Sequence, residues 1–100
     1  MDKINEEEIL KPLRAEIDHL DRELIALLAK RFDVVHRVGE IKKKYNLSPI
    51  QPKRMEQVLE RVASLAEEHH IDPDFVKNLY HMMIDHAHAL EFEITGQDHE

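Results

Sequence analysis

The sequence predicts an all-α fold of three helices, the first of them very long, that assembles as an intertwined homodimer. The 100 residues include two glycines and four prolines, too few for the many tight turns of an all-β domain. Apolar residues recur at alternating intervals of three and four, which is the period of helices. Residues that favour helix starts precede or open each of these periodic segments.

The first helix is predicted over about Glu6–Lys44. Asn5 and Glu8 form a capping box, and no proline follows Pro12 until the linker Tyr45–Gln51. The seam of this helix has heptad spacing and comprises Leu10, Leu13, Ile17, Leu20, Leu24, Leu27, Arg31, Val34, Val38, Ile41 and Tyr45. Such a helix is about 55–60 Å long, whereas a compact chain of this size has a radius of gyration of about 13 Å. A second copy of the chain is therefore expected to cover the seam, and a plain coiled-coil dimer is the simplest version of that expectation.

Two shorter helices are predicted after the linker. The second begins near Pro52 and ends near His69, and the third follows Asp72 as N-cap, with Pro73 at its first position. The predicted buried stripes are Met55, Val58, Val62 and Leu65 in the second helix, and Val76, Leu79, Met83 and Leu90 with Tyr80, Ile84, Ala87, Glu91 and Ile94 in the third. We expect residues 1–100 to form a single domain with a core of about residues 8–94 and frayed termini.

Composition excludes several classes of protein. The absence of cysteine rules out a disulfide scaffold, a cysteine zinc site and a thiol nucleophile. With 14 basic and 21 acidic residues, the net charge of −7 argues against a nucleic-acid partner. No apolar run approaches the length of a membrane span, and the acidic beginning is unlike a secretory signal. We expect a soluble cytoplasmic protein that has no membrane partner.

Charged residues interrupt the apolar stripes at Arg31 and Glu91. A buried charge needs a partner, so either Arg31 pairs with a buried carboxylate such as Glu91, or both line a polar pocket. Lys42 follows Arg31 by about three turns on the same face, and Arg54 opens the second helix. Arg14 is about 25 Å from Arg31 along the helix and could reach the same ligand only from a second subunit. Inward arginine and lysine in an acidic protein predict a small polyanionic ligand, and arginine is well suited to bind carboxylate groups.

Three motifs carry a family resemblance. The segment from Leu13 to Asp21 is L-R-x-x-I-D-x-L-D, L-L-x-x-R ends at Arg31, and V-G-x-x-K ends at Lys42. Together, at this spacing, they resemble the helical AroQ-type chorismate mutases over about residues 10–94. The resemblance implies a homodimer of three-helix chains with two active sites at the interface. It also implies rearrangement of chorismate to prephenate with no metal and no organic cofactor.

The resemblance further implies a role for each site residue. Arg14 would bind a substrate carboxylate from the partner subunit, and Arg31 would bind the other carboxylate. Lys42 would bond a carboxylate and the ether oxygen, Glu91 would face that oxygen, and Arg54 would border the ring. The predicted catalytic residues are Lys42, Glu91 and Arg31, and the predicted substrate-binding residues are Arg14, Arg31, Lys42, Gln51, Arg54, Ala87, His88 and Glu91. The [3,3] rearrangement is pericyclic, so restraint of the substrate and well-placed donors suffice.

Departures from the family pattern leave the substrate open. Met55 stands where many bacterial members carry glutamate, and Ala87 stands where some carry a small hydroxyl residue. Isochorismate-pyruvate lyases and aminodeoxychorismate mutases of the same fold are therefore alternatives, and a noncatalytic helical dimerisation module is the alternative from another class. His88 either borders the pocket or is a solvated or packing residue. Glu91 can donate to the ether oxygen only when protonated, so activity is expected to rise toward acidic pH.

Overall fold

The protein is described by a computed structural model over residues 5–97. The three helices in this range are α1 (Glu6–Lys44), α2 (Pro52–Glu68) and α3 (Pro73–Thr95), and the range contains no strand. The predicted all-α class is therefore confirmed. Of the predicted frayed termini, residues 1–4 and 98–100 lie outside the described residues, whereas Glu6, Glu7 and Thr95 belong to helices. Between residues 5 and 97, no helix is long and apolar enough to cross a membrane.

Local chemistry accounts for the start of α1 and of α3. The backbone N–H of Glu8 donates to Asn5 Oδ1 at 3.3 Å, and that of Asp74 donates to Asp72 Oδ1 at 2.9 Å. Three glutamates in the first turn of α1 and three lysines in its last turn complement the helix dipole. Pro12 lies inside α1, which continues through it, so an early proline costs one backbone hydrogen bond without ending the helix.

The chain divides between Asp33 and Val34, within α1, into two compact units. In the first unit, the described residues belong almost entirely to α1. The apolar seam of this unit is exposed: Leu13 is 57% exposed, Leu20 59% and Leu24 63%. Exposed leucines at heptad spacing lack the burial that normally stabilises such a helix.

The second unit has its core between α2 and α3. Val58, Val62 and Ile84 form a buried cluster. The partly buried side chains packed against this cluster are Met55, Leu59, Val76 and Tyr80. Two predicted core residues are not buried, since Leu65 and Leu79 are each 44% exposed. The prediction was wrong there because the contact between α2 and α3 covers a narrow stripe of each helix and leaves both leucines partly exposed.

Candidate active site

A buried ion pair joins the end of α1 to α3. Lys42, in the last turn of α1, places its Nζ 2.6 Å from Glu91 Oε1. The same ammonium group donates to the backbone carbonyl of Pro49 at 2.9 Å. The Lys42 side chain is 13% exposed and that of Glu91 is 7% exposed. The charge that breaks the apolar stripe of α3 therefore has a partner, and that partner is Lys42.

Gly39 and Ile94 allow the close approach that this ion pair needs. Gly39 is buried one turn before Lys42, and Ile94 follows Glu91 by one turn. A Cβ atom added at Gly39 would lie 2.9 Å from Ile94 Cδ1 and 3.4 Å from Ile94 Cβ and Cγ2. The two pairs, 39 with 94 and 42 with 91, run in opposite directions, as expected for antiparallel helices. Gly39 therefore makes room for the Ile94 side chain of α3.

The α1–α2 loop presents its carbonyl groups to side-chain donors. Asn46 has a left-handed φ of 52°, and the backbone N–H of Leu47 donates to the Lys42 carbonyl at 2.8 Å. This turn brings the buried Pro49 over the Lys42 ammonium group. Sequence reasoning missed the role of Pro49 because a backbone acceptor leaves no pattern in the side chains.

The other predicted residues of the second unit differ in burial. Ala87 is buried one turn before Glu91, whereas His88 is half-buried. Gln51 and Arg54, at the start of α2, are exposed. Among the predicted site residues of this unit, a direct side-chain contact is recorded between Lys42 and Glu91. The substrate roles of the others stay predictions.

The two remaining predicted arginines belong to the first unit. Arg31 is half-buried, and Arg14 is exposed. Arg14 lines a shallow groove along α1 in which acidic side chains outnumber basic ones. The lining of this groove is Asn5, Glu7, Glu8, Lys11, Arg14, Ala15 and Asp18. Such a lining does not favour a dianion, so it does not by itself explain how Arg14 would bind one.

Met55, the first departure from the family pattern, has a packing role. Its side chain is half-buried and packs against the cluster of Val58, Val62 and Ile84. A glutamate at this position would bring a charge to the edge of that apolar cluster, at a free-energy cost unless it were paired. Met55 thus adds to the apolar core of the second unit, at the position where the family resemblance implies a glutamate in many bacterial members.

A largely apolar groove lies beside Lys42. It has a volume of about 340 Å³ and is lined by Val34, Arg37, Val38, Ile41, Lys42, Leu47 and Gln51. Val34, Val38 and Ile41 belong to the α1 seam and are 48%, 41% and 52% exposed. Within the second unit, exposed apolar residues of α1 thus adjoin the lysine of the candidate site.

The ion pair leaves Lys42 with capacity for a ligand. An ammonium group has three N–H donors, and one of them is donated to the Pro49 carbonyl, while Glu91 Oε1 faces the group as an ion-pair partner. Even if the Glu91 carboxylate engages a second N–H, the third can bond an anionic or ether oxygen. While Glu91 is ionised the pair is neutral overall, and protonation of Glu91 would leave a net positive charge and add an O–H donor. The arrangement can therefore bind an anion and offer two donors to one oxygen.

The fold and this site define a class of all-α proteins with a buried lysine–glutamate pair between helices. Comparison with known sequences identifies the family. Residues 13–92 match the family described as chorismate mutase type II. Because the match covers most of the sequence, the chain belongs to the chorismate mutase type II family. The resemblance inferred from the three motifs is confirmed.

Individual relatives carry several functional names. The chain is similar to a 4-amino-4-deoxychorismate mutase of Streptomyces pristinaespiralis, with 37% identity over 84% of this chain and 65% of the relative. It is similar to the T-protein of Haemophilus influenzae, with 38% identity over 84% of this chain but 22% of the relative. A chorismate mutase of Methanocaldococcus jannaschii is 29% identical over 84% of this chain and 85% of the relative. The chain thus spans less than two thirds of the first two proteins and most of the third.

Proposed function

We propose that this chain is a chorismate mutase, an isomerase that converts chorismate to prephenate. The observation that carries the proposal is the buried contact of Lys42 with Glu91, inside the region that matches the family. Burial of two opposite charges costs desolvation free energy, and a hydrophobic pair would often be at least as stable. An ion pair retained at such a position is therefore well explained by a chemical role.

The proposed mechanism uses restraint and electrostatics. In the rearrangement, the ether C–O bond breaks while a new C–C bond forms, and negative charge develops on the ether oxygen. The third N–H of Lys42 would donate to this oxygen, and protonated Glu91 would donate to it as well. The Pro49 carbonyl holds the ammonium group in place, so little reorganisation is needed when the charge develops. No nucleophile takes part in these steps.

Arg31 and Arg14 complete the proposed site by binding the two substrate carboxylates. We propose that Arg14 acts from the second subunit of a homodimer, with Gln51, Arg54, Ala87 and His88 as further substrate-side residues. Support for the dimer comes from the exposed α1 seam, which includes Leu13, Leu20 and Leu24 in the first unit. Isologous pairing of two such seams would bury them and create two equivalent sites. As a biosynthetic isomerase, the protein is expected to act in the cytoplasm.

A second candidate substrate is 4-amino-4-deoxychorismate. The relative from Streptomyces pristinaespiralis carries that activity in its name. Met55 packs in the core, and Ala87 is a buried methyl group. Neither side chain has an N–H or O–H group to donate to the ring substituent that distinguishes the two substrates, and the methionine sulfur is only a weak acceptor. The Lys42–Glu91 pair would serve the same rearrangement in either compound.

A substrate comparison tests the proposal. Purified protein is incubated separately with chorismate, 4-amino-4-deoxychorismate and isochorismate, and substrate loss is followed by absorbance. Prephenate is detected as phenylpyruvate after acid treatment, and pyruvate is assayed in the isochorismate reaction. We expect the highest kcat/KM with chorismate and prephenate as its product. A higher value with the amino compound would favour the second candidate, and pyruvate release would indicate a lyase. Turnover of none would favour a noncatalytic module.

A further inference from the structure

Three consecutive carbonyl groups of the α1–α2 loop accept hydrogen bonds from side chains. Gln97 Nε2 donates to the Leu47 carbonyl at 3.1 Å, and Gln51 Nε2 approaches the Ser48 carbonyl at 3.5 Å. Lys42 Nζ donates to the Pro49 carbonyl at 2.9 Å. Of these donors, Gln97 is the most distant in sequence, because it lies just beyond the end of α3. It therefore ties the end of α3 directly to the loop.

The chain reversal at Gly96 enables this contact. Gly96 has a left-handed φ of 71°, which favours glycine, and its N–H donates to the Phe92 carbonyl at 3.0 Å. The next N–H, that of Gln97, lies 3.4 Å from Thr95 Oγ1. The backbone of Gln97 is thus held by the helix cap, while its side-chain amide is directed to the loop.

The same loop and the same helix are also joined through the candidate catalytic lysine. Lys42 bridges the Pro49 carbonyl of the loop and the Glu91 carboxylate of α3. A substrate that bonds the third N–H of Lys42 would depend on both of those contacts to hold the ammonium group in place. The Gln97–Leu47 hydrogen bond involves neither Lys42 nor Glu91, so it can hold the loop against α3 independently of the lysine. Only Ser48 lies between Leu47 and Pro49, so displacement of the Leu47 carbonyl would move the Pro49 carbonyl.

We propose that Gln97 is a positioning residue of the active site, acting through the Leu47 carbonyl on the Pro49 carbonyl and hence on the Lys42 ammonium group. Gln97 does not need to touch the substrate. It lowers the reorganisation required of the loop when Lys42 donates to the ether oxygen. This inference rests on the proposed mutase function for its kinetic consequence, whereas its structural consequence, restraint of the loop, is independent of that function.

The test compares Gln97→Ala and Gln97→Glu with the wild-type chain. Gln97→Glu keeps the size of the side chain but replaces the amide donor by a carboxylate, which would repel the Leu47 carbonyl. Glu93→Gln is the matched control, because Glu93 is an exposed residue of the last turn of α3. The readouts are kcat and KM with chorismate, and amide hydrogen exchange across residues 45–51. The Leu47 amide is the most informative probe, since it bonds the Lys42 carbonyl at 2.8 Å.

We expect both Gln97 variants to exchange the loop amides about threefold to tenfold faster, as for loss of one net hydrogen bond. We expect kcat to fall by a similar factor and KM to change less, because Lys42 acts on charge that develops in the transition state. Glu93→Gln should match the wild type. Unchanged loop exchange and unchanged kcat in both Gln97 variants would overturn the inference. A wild-type chain without turnover would overturn the proposed function instead, and the exchange rates would then decide the role of Gln97 alone.

Discussion

Gly39 is the position at which one added carbon atom tests the packing of α1 against α3. Substitution by alanine would place a methyl group 2.9 Å from Ile94 Cδ1, whereas carbon atoms in ordinary contact are about 3.5–4.0 Å apart. Rotation about the Cβ–Cγ1 bond of Ile94 can move Cδ1 away from the added carbon, at a cost of about 0.5–1.5 kcal/mol for an unfavourable side-chain torsion. Alanine also gains about 1 kcal/mol over glycine in a helix interior. The two effects oppose each other, so Gly39→Ala should leave the free energy of unfolding nearly unchanged.

Removal of the Ile94 Cδ1 methyl group should let the greater helix propensity of alanine at position 39 appear in the free energy of unfolding. Ile94→Val lacks Cδ1, and the nearest remaining Ile94 atoms lie 3.4 Å from the added carbon, which is a tolerable contact. In the Ile94→Val background, Gly39→Ala should therefore stabilise the chain by about 1 kcal/mol. The predicted coupling between the two substitutions is about 0.5–1.5 kcal/mol, within the range found for residues in contact.

The assay compares the wild type, Gly39→Ala, Ile94→Val and the double variant by urea denaturation, with circular dichroism as the signal. All four proteins are measured at the same chain concentration, because association would change the apparent stability. The same four proteins are assayed for kcat/KM. Gly39→Ala alone should reduce kcat/KM several-fold by disturbing the Lys42–Glu91 geometry one turn away, and Ile94→Val should restore it. Equal effects of Gly39→Ala in both backgrounds, on stability and on activity, would refute the reasoning.

Two further predictions concern the charged residues. Glu91→Gln keeps a side-chain N–H donor, so it should retain turnover of chorismate, whereas Glu91→Ala should lose much of its kcat/KM; a fully active Glu91→Ala would contradict a donor role at this position. Arg14→Ala and Arg31→Ala should each lack turnover as single variants. Mixing them should restore about a quarter of the wild-type activity if Arg14 acts in trans, because half of the dimers would then carry one intact site. No recovery after subunit exchange would contradict the trans arrangement.

The bounds of the helices could be predicted because local chemistry sets them. The side chains of Asn5 and Asp72 cap the first and third helices. Pro52 suits the first turn of the second helix, because a backbone nitrogen there has no partner within the helix. The heptad period likewise predicted one unbroken helix from Glu6 to Lys44. Each of these signals involves residues within a few positions of one another, so a single sequence contains all of the necessary information.

Contacts between distant segments were harder to predict. The charge at Glu91 marked a polar site correctly, but spacing along the sequence did not predict its contact with Lys42. Which carbonyl group turns toward Lys42 depends on the loop conformation and the left-handed backbone of Asn46, which the sequence pattern does not specify. Gln97 was missed for a similar reason, because the Gly96 reversal decides where its side chain points.

Lys42 provides the most direct test of the account. The central claim is that its ammonium group, held by Pro49 and Glu91, stabilises the charge that develops on the ether oxygen of chorismate. The measurement is kcat for chorismate isomerisation by the wild type and by Lys42→Ala, with the oligomeric state of both checked by sedimentation. We predict that the wild type accelerates the reaction far above its uncatalysed rate, and that Lys42→Ala loses at least about a hundredfold in kcat with its assembly unchanged. A wild-type rate equal to the uncatalysed one, or a fully active Lys42→Ala, would contradict the account.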